Sequence, residues 1–148
     1  MGSLTRSIED QVAALGGVGH LRPAPGTWGS AVVLPIAWAG PGACLALAVV
    51  LLIAGLWALQ GRRDDPGWVV VDEGAGQALA LAALPALGGL ALLPWALAAF
   101  ALFRAFDILK PGPIGWVDRQ TGPWGVMGDD ILAGCFAGAA IILARGVL

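Results

Sequence analysis

Residues 107–130 read DILKPGPIGWVDRQTGPWGVMGDD, a polar island between the apolar runs Trp95 to Phe106 and Ile131 to Leu148. The island holds Asp107, Lys110, Asp118, Arg119, Asp129 and Asp130, six of the chain's eighteen Asp, Glu, Lys and Arg residues. Its prolines and glycines argue against one long helix through the middle. Its ends read as helical. Arg104, Asp107 and Lys110 recur every third residue before Pro111, and Asp129-Asp130 precede a new apolar run, where Asp129 has the chemistry of an N-cap.

Hydrophobic residues make up 58% of the chain and charged residues 12%, against about 25% charged in an ordinary soluble domain. With a mean hydropathy of +0.81, this predicts an integral membrane protein. Strand-like alternation is absent and Ala/Leu/Gly runs dominate, so the expected class is all-α. The bundle should have about five apolar segments, some short or only partly inserted, in one domain over residues 1–148. A net charge of −2 gives no electrostatic footprint for nucleic acid. Cys44 and Cys135 both sit in apolar runs with no metal-like spacing and read as small buried residues.

Outward from the island, Leu4, Ile8, Val12 and Leu15 fall on one face of an N-terminal amphipathic helix that Gly16-Gly17 should end. Met1 to Gln11 contains Glu9 and Asp10 and lacks the apolar core of a signal peptide. The stretch GGVGHLRPAPGTWGS, residues 16–30, reads as irregular. Arg22, Thr27, Ser30 and the backbone N–H groups there could cradle a phosphate. Apolar segments then run over 31–39, 43–59, 74–87, 95–106 and 131–148. Gly134 and Gly138 are spaced for close helix contact, within one chain or between chains; the oligomeric state is open.

Pairing the first four of these segments as two hairpins places loops 16–30, 60–73 and 107–130 on one side. Nearly every Lys and Arg lies on that side or near it, Arg145 being the exception, so the positive-inside rule makes it cytoplasmic. The three loops bring together Asp64, Asp65, Asp72, Glu73, Asp107, Asp129 and Asp130. Such carboxylates repel one another and are costly to desolvate. A divalent cation would neutralise them, and an all-oxygen set without a His or Cys cluster favours Mg²⁺. Interleaved Arg22, Arg104 and Lys110 could hold an anion beside it, which describes a phosphate-handling site.

Several pieces also have plain structural readings. Arg104, Asp107 and Lys110 could be an intrahelical ion-pair ladder. Asp118 and Arg119 read as a solvated connector, and the lone His20 as structural. A single His, no Cys-x5-Arg, no Asp-x-Asp and no G-x-x-x-x-G-K-[ST] remove the phosphohistidine, cysteine-phosphatase, aspartyl-phosphatase and P-loop classes.

Three blocks carry a family resemblance: PGTWGS at 25–30, DEGAGQ at 72–77, and FRAFDILKP at 103–111 followed by DDILAG at 129–134. Together these motifs resemble the phosphatidylglycerophosphatase A family over nearly the whole chain. The resemblance implies a Mg²⁺-dependent enzyme that hydrolyses phosphatidylglycerophosphate to phosphatidylglycerol and inorganic phosphate at the cytoplasmic face of the inner membrane. It further implies that Asp72, Glu73, Asp107, Asp129 and Asp130 hold metal. Arg22, Thr27, Ser30, Arg104 and Lys110 would then meet the phospholipid substrate. The rival readings are a divalent-cation carrier or channel, whose acids belong mid-membrane, and a small structural membrane protein.

Overall fold

A computed structural model describes residues 2–148. Seven α-helices follow in order: α1 (Gly2–Ala13), α2 (Pro25–Ala31), α3 (Pro41–Ala58), α4 (Val71–Leu81), α5 (Leu93–Leu109), α6 (Pro113–Asp118) and α7 (Pro123–Val147). Short 3-10 turns lie at Val18–His20, Leu34–Ala39 and Gly89–Leu92. Among the described residues there is no strand.

Among the described residues, three stretches are long and apolar enough to cross a membrane: Pro41–Ala58, Gly89–Leu109 and Pro123–Val147. Their outward faces carry Leu45, Val49, Val50, Ile53, Leu97, Ile142 and Leu143, all exposed. An apolar exterior on long helices is what a hydrocarbon surround requires. The remaining apolar segments do not form single spanning helices. Residues 25–39 run as α2 and then a 3-10 turn. At 11 residues, α4 is about 16 Å long, half of a hydrocarbon core of about 30 Å.

That half-length helix is the centre of the molecule. It packs on α7, α3, α2, α5 and α1, and nine of its residues are buried, including Asp72 and Gln77. Small residues make this possible. A Cβ on Gly76 would strike the Asp130 carbonyl, and one on Gly134 would strike the Gly76 carbonyl, so α4 and α7 touch backbone to backbone. Gly134 and Gly138 therefore make their close contacts within the chain, Gly138 beside Ala80 and Ala83.

One end of the bundle gathers the polar loops. The far end is closed by Trp38 donating to the Gly89 carbonyl at 2.9 Å and by Arg145 donating to the Ala83 carbonyl at 2.9 Å. Apolar packing there joins Ala37, Cys44, Leu81, Leu84, Leu92, Ala96 and Ile141.

Several local expectations change. The glycine-rich stretch is helical over Pro25–Ala31, because Pro25 at the first turn is set for helix and the glycines let α2 lie against α4. A Cβ on Gly29 would meet Val70. The last helix starts at Pro123, with Gly122 as its N-cap, so Asp129 is an interior residue and not a cap. Cys44 is buried as expected, but Cys135 is exposed on the outer face of α7. The amphipathic α1 forms as read. It is tied to the 60–68 loop by an Arg62–Asp10 ion pair. Arg62 also lies over the Trp68 ring, which His20 stacks on from 5.8 Å.

Candidate active site

Three helices deliver the acids. Asp72 and Glu73 are in the first turn of α4, where the helix dipole favours negative charge. Asp107 is in the last turn of α5. Asp129 and Asp130 lie two turns into α7, level with the α4 start because of the glycine contact. They form two sets that share one member. Ligand oxygens of Asp72, Glu73 and Asp130 lie within 4.8 Å of one another, and so do those of Asp107, Asp129 and Asp130.

Asp72, Asp129 and Asp130 are 5%, 4% and 2% exposed. One oxygen on each of Asp72, Glu73, Asp129 and Asp130 is buried without a hydrogen-bond partner among the described residues. Burial, then the Glu73 and Asp130 carboxylates, push Asp72 well above the ordinary carboxylate range. Burial raises Glu73 as well. Buried unpaired oxygens of this kind call for a partner, and a bound cation is one that could supply it.

The chemistry fits a hard divalent cation. Opposite ligands of an octahedral Mg²⁺ are about 4.2 Å apart, from Mg–O distances of about 2.1 Å. A 4.8 Å spread of all-carboxylate oxygens is thus within a small side-chain adjustment of that geometry. Asp72, Glu73, Asp107, Asp129 and Asp130 are the residues that could hold it.

Two basic groups enter the same site. Arg104 pairs with Asp107 one turn along α5, and its Nη1 lies with the Glu73 carboxylate against Gly26 of α2. Any side chain at Gly26 would displace that carboxylate. Lys110 terminates α5 in a left-handed conformation, φ 48°. Its ammonium donates to Asp118 at 2.7 Å and to Asp129 at 2.5 Å. Burial works against its charge, but the Asp118 and Asp129 hydrogen bonds outweigh that and raise its pKa. The same contact lowers Asp118.

The other sequence-assigned residues are placed less centrally. Ser30 is fully buried and its hydroxyl donates to the Gly26 carbonyl at 2.9 Å, holding the α2 turn that abuts Glu73. Thr27 is half-buried on that helix, and Arg22 is exposed just before it. Asp64 and Asp65 are exposed in the loop before α4.

The family model for phosphatidylglycerophosphatase A matches residues 11–145. The chain belongs to the phosphatidylglycerophosphatase A family. It is 39% identical over 132 residues to a Haemophilus influenzae protein named phosphatidylglycerophosphatase A, covering 82% of this chain and 78% of that one. An Escherichia coli protein of the same name is 35% identical over 134 residues, 84% of this chain and 72% of its own length. A Bacteroides thetaiotaomicron protein with a provisional phosphatidylinositol-3-phosphatase name is 40% identical over 107 residues, 70% of this chain and 66% of its own. No solved structure matches the chain.

Asp118 and Gln77 take places in this family member that the sequence does not show. Asp118 reads as part of a solvated connector, yet α6 turns it onto Lys110. In sequence, Gln77 stands out only as the last residue of the DEGAGQ motif. It is fully buried, one helical turn beyond Glu73, and both its amide oxygen and nitrogen lack partners. A polar side chain in the middle of the apolar 74–87 run was the signal available for it.

Proposed function

We propose that this protein is a Mg²⁺-dependent phosphatase that removes the terminal phosphate from phosphatidylglycerophosphate. The products would be phosphatidylglycerol and inorganic phosphate. The observation that carries the reading is the buried carboxylate site with unpaired oxygens, ringed by Arg104 and Lys110, at one end of apolar-faced helices in a chain of this family.

The chain's own residues divide the work. Asp72, Glu73, Asp107, Asp129 and Asp130 hold the cation, which when bound would neutralise phosphoryl oxygens and acidify the attacking water. Arg104 and Lys110 supply fixed positive charge where the transferring phosphoryl group gathers negative charge. Arg22, just before α2, and Thr27, on α2, are the residues we assign to the rest of the headgroup. Acyl chains stay against the exposed apolar faces, at about 0.8 kcal/mol per buried CH₂, and need no dedicated motif.

The position of the acids favours an enzyme over a cation carrier. Asp72 is the second residue of α4, Asp107 the third from the end of α5, and Asp129 the seventh of α7. Asp72 and Asp107 are thus within a turn of a helix end, and Asp129 is in the first third of α7 rather than at its middle. Arg62, Arg63 and Arg119 belong to the loops of that same end, which argues for a cytoplasmic site in the inner membrane.

The test is phosphate release by the purified protein in detergent, with and without Mg²⁺. Phosphatidylglycerophosphate, phosphatidic acid and phosphatidylinositol 3-phosphate would be compared. Fastest Mg²⁺-dependent release from the first supports the reading. Preference for another of these lipids would move the assignment to that lipid, and no release from any would refute it.

A further inference from the structure

We propose that the site holds two divalent cations, one among Asp72, Glu73 and Asp130 and the other among Asp107, Asp129 and Asp130, with Asp130 shared between them. The proposal deepens the phosphatase reading and rests on it.

Two observations carry it. The first is the arrangement of the acids into two sets, each closed within 4.8 Å, with a single common member. Asp130 is 2% exposed and has a buried, unpartnered oxygen available to a shared ligand role. The unpartnered oxygens are distributed over both sets: Asp72 and Glu73 belong to one, Asp129 to the other.

The second is charge. Five buried or half-buried carboxylates face two basic groups, Arg104 and Lys110. Three negative charges remain when all are ionised. One divalent cation leaves the site still negative by one, which repels an anionic phosphate ester. Two bring these seven groups to positive by one, or to neutral with Asp118, which shares the Lys110 ammonium, so the repulsion is removed. Asp118 sits at the rim with 43% of its side chain exposed, where water and counter-ions screen it.

The two positions are not equivalent. Among the described residues no Lys or Arg hydrogen bond to Asp72, Glu73 or Asp130 is found, and only Arg104 lies near Glu73, so that set is the less neutralised by bases. In the other set Arg104 pairs with Asp107 and Lys110 with Asp129. The first cation should therefore bind tightly and the second more weakly, exchanging with the medium.

Mn²⁺ is the probe, because its paramagnetism reports number and proximity without requiring turnover. Metal-free protein in detergent is titrated with Mn²⁺, bound metal is counted, and the electron paramagnetic resonance spectrum is recorded. The expected result is two Mn²⁺ per chain in two affinity classes at least about tenfold apart, with a spin-coupled spectrum at saturation. Asp107→Asn should lose the weak class and Glu73→Gln should weaken the tight one, each removing the coupling. Asp130→Asn should weaken both. Helix content by circular dichroism verifies folding, and the two outer variants suffice if Asp130→Asn does not fold. Saturation at one uncoupled Mn²⁺ per chain, with lipid phosphate release intact, would overturn the two-cation proposal and leave the phosphatase reading standing. Two coupled Mn²⁺ without any lipid phosphate release would support the site while refuting the phosphatase reading.

Discussion

Gly76 of α4 and Gly134 of α7 meet with no side chain between them, and this contact sets the level at which Asp72 faces Asp130. A methyl group at Gly134 would collide with the Gly76 backbone, which has nowhere to move inside a buried helix. Gly134→Ala should cost about 1–3 kcal/mol of stability, the range for overpacking, and should weaken cation binding as the helices part. Gly138→Ala is the control. Its added Cβ would find Ala83 at 3.4 Å, an ordinary contact, so it should be neutral or gain up to about 1 kcal/mol from helix propensity. Thermal unfolding in detergent, paired with Mn²⁺ titration, checks both.

Lys110 holds Asp118 and Asp129 with one ammonium. Lys110→Met keeps the side chain's length and removes the charge. Turnover should fall about 100-fold or more, as when a fixed transition-state donor is lost. Asp118→Asn leaves Lys110 its other partner and should cost well under tenfold. Single-turnover rates on the two variants separate these outcomes, and equal losses would make Asp118 as important as the lysine.

The buried acids predict a reversal of pH dependence on adding metal. Asp72 and Glu73 have folded pKa values raised above their unfolded ones, by burial first in each case. Their stabilising contribution is complete below the unfolded carboxylate value of about 4 and is lost as pH rises through the raised folded values. Metal-free protein should therefore lose stability from about pH 4 upward. With Mg²⁺ present, ionised acids are required for binding, so the same rise in pH should increase stability. Unfolding temperatures across that window, with chelator and with Mg²⁺, give the comparison.

Gln77 is expected to trade stability for activity. Its unpaired amide is a burial cost of about 1–3 kcal/mol. Gln77→Met, of similar volume, should stabilise the metal-free protein by some of that amount and lower turnover at least tenfold. Unchanged turnover would show that the amide has no part in the reaction.

How far the sequence could be read depended on the kind of signal. Leu4, Ile8, Val12 and Leu15 lie on one helix face whatever surrounds them, so α1 was legible. The convergence of the acid-bearing loops followed from apolar segment order alone. Secondary structure inside glycine-rich stretches was not legible, because the helical state of Pro25–Ala31 depends on α4 filling the space that Gly26 and Gly29 leave. The same limit hid the start of α7 at Pro123, where Trp124 and Gly125 look like loop residues until α6 packs beside them. Asp118 is solvated as read, but its pairing with Lys110 was not legible, since the two meet across a turn that follows the left-handed backbone at Lys110. Cys135 was misread because an apolar run on a membrane-exposed helix does not distinguish its inner from its outer face.

The acids come from three helices, and two of the five reside on α7, which follows the others in the chain. During synthesis, Asp72, Glu73 and Asp107 therefore enter the bilayer region before the ligands that complete their site have been translated. A nascent chain stopped before Pro123 carries an incomplete set of buried acids. It also lacks α7, the helix that packs on α4 and helps bury Asp72 and Gln77. The proposed cation set, drawn from α4, α5 and α7, is therefore complete only once α7 is in place.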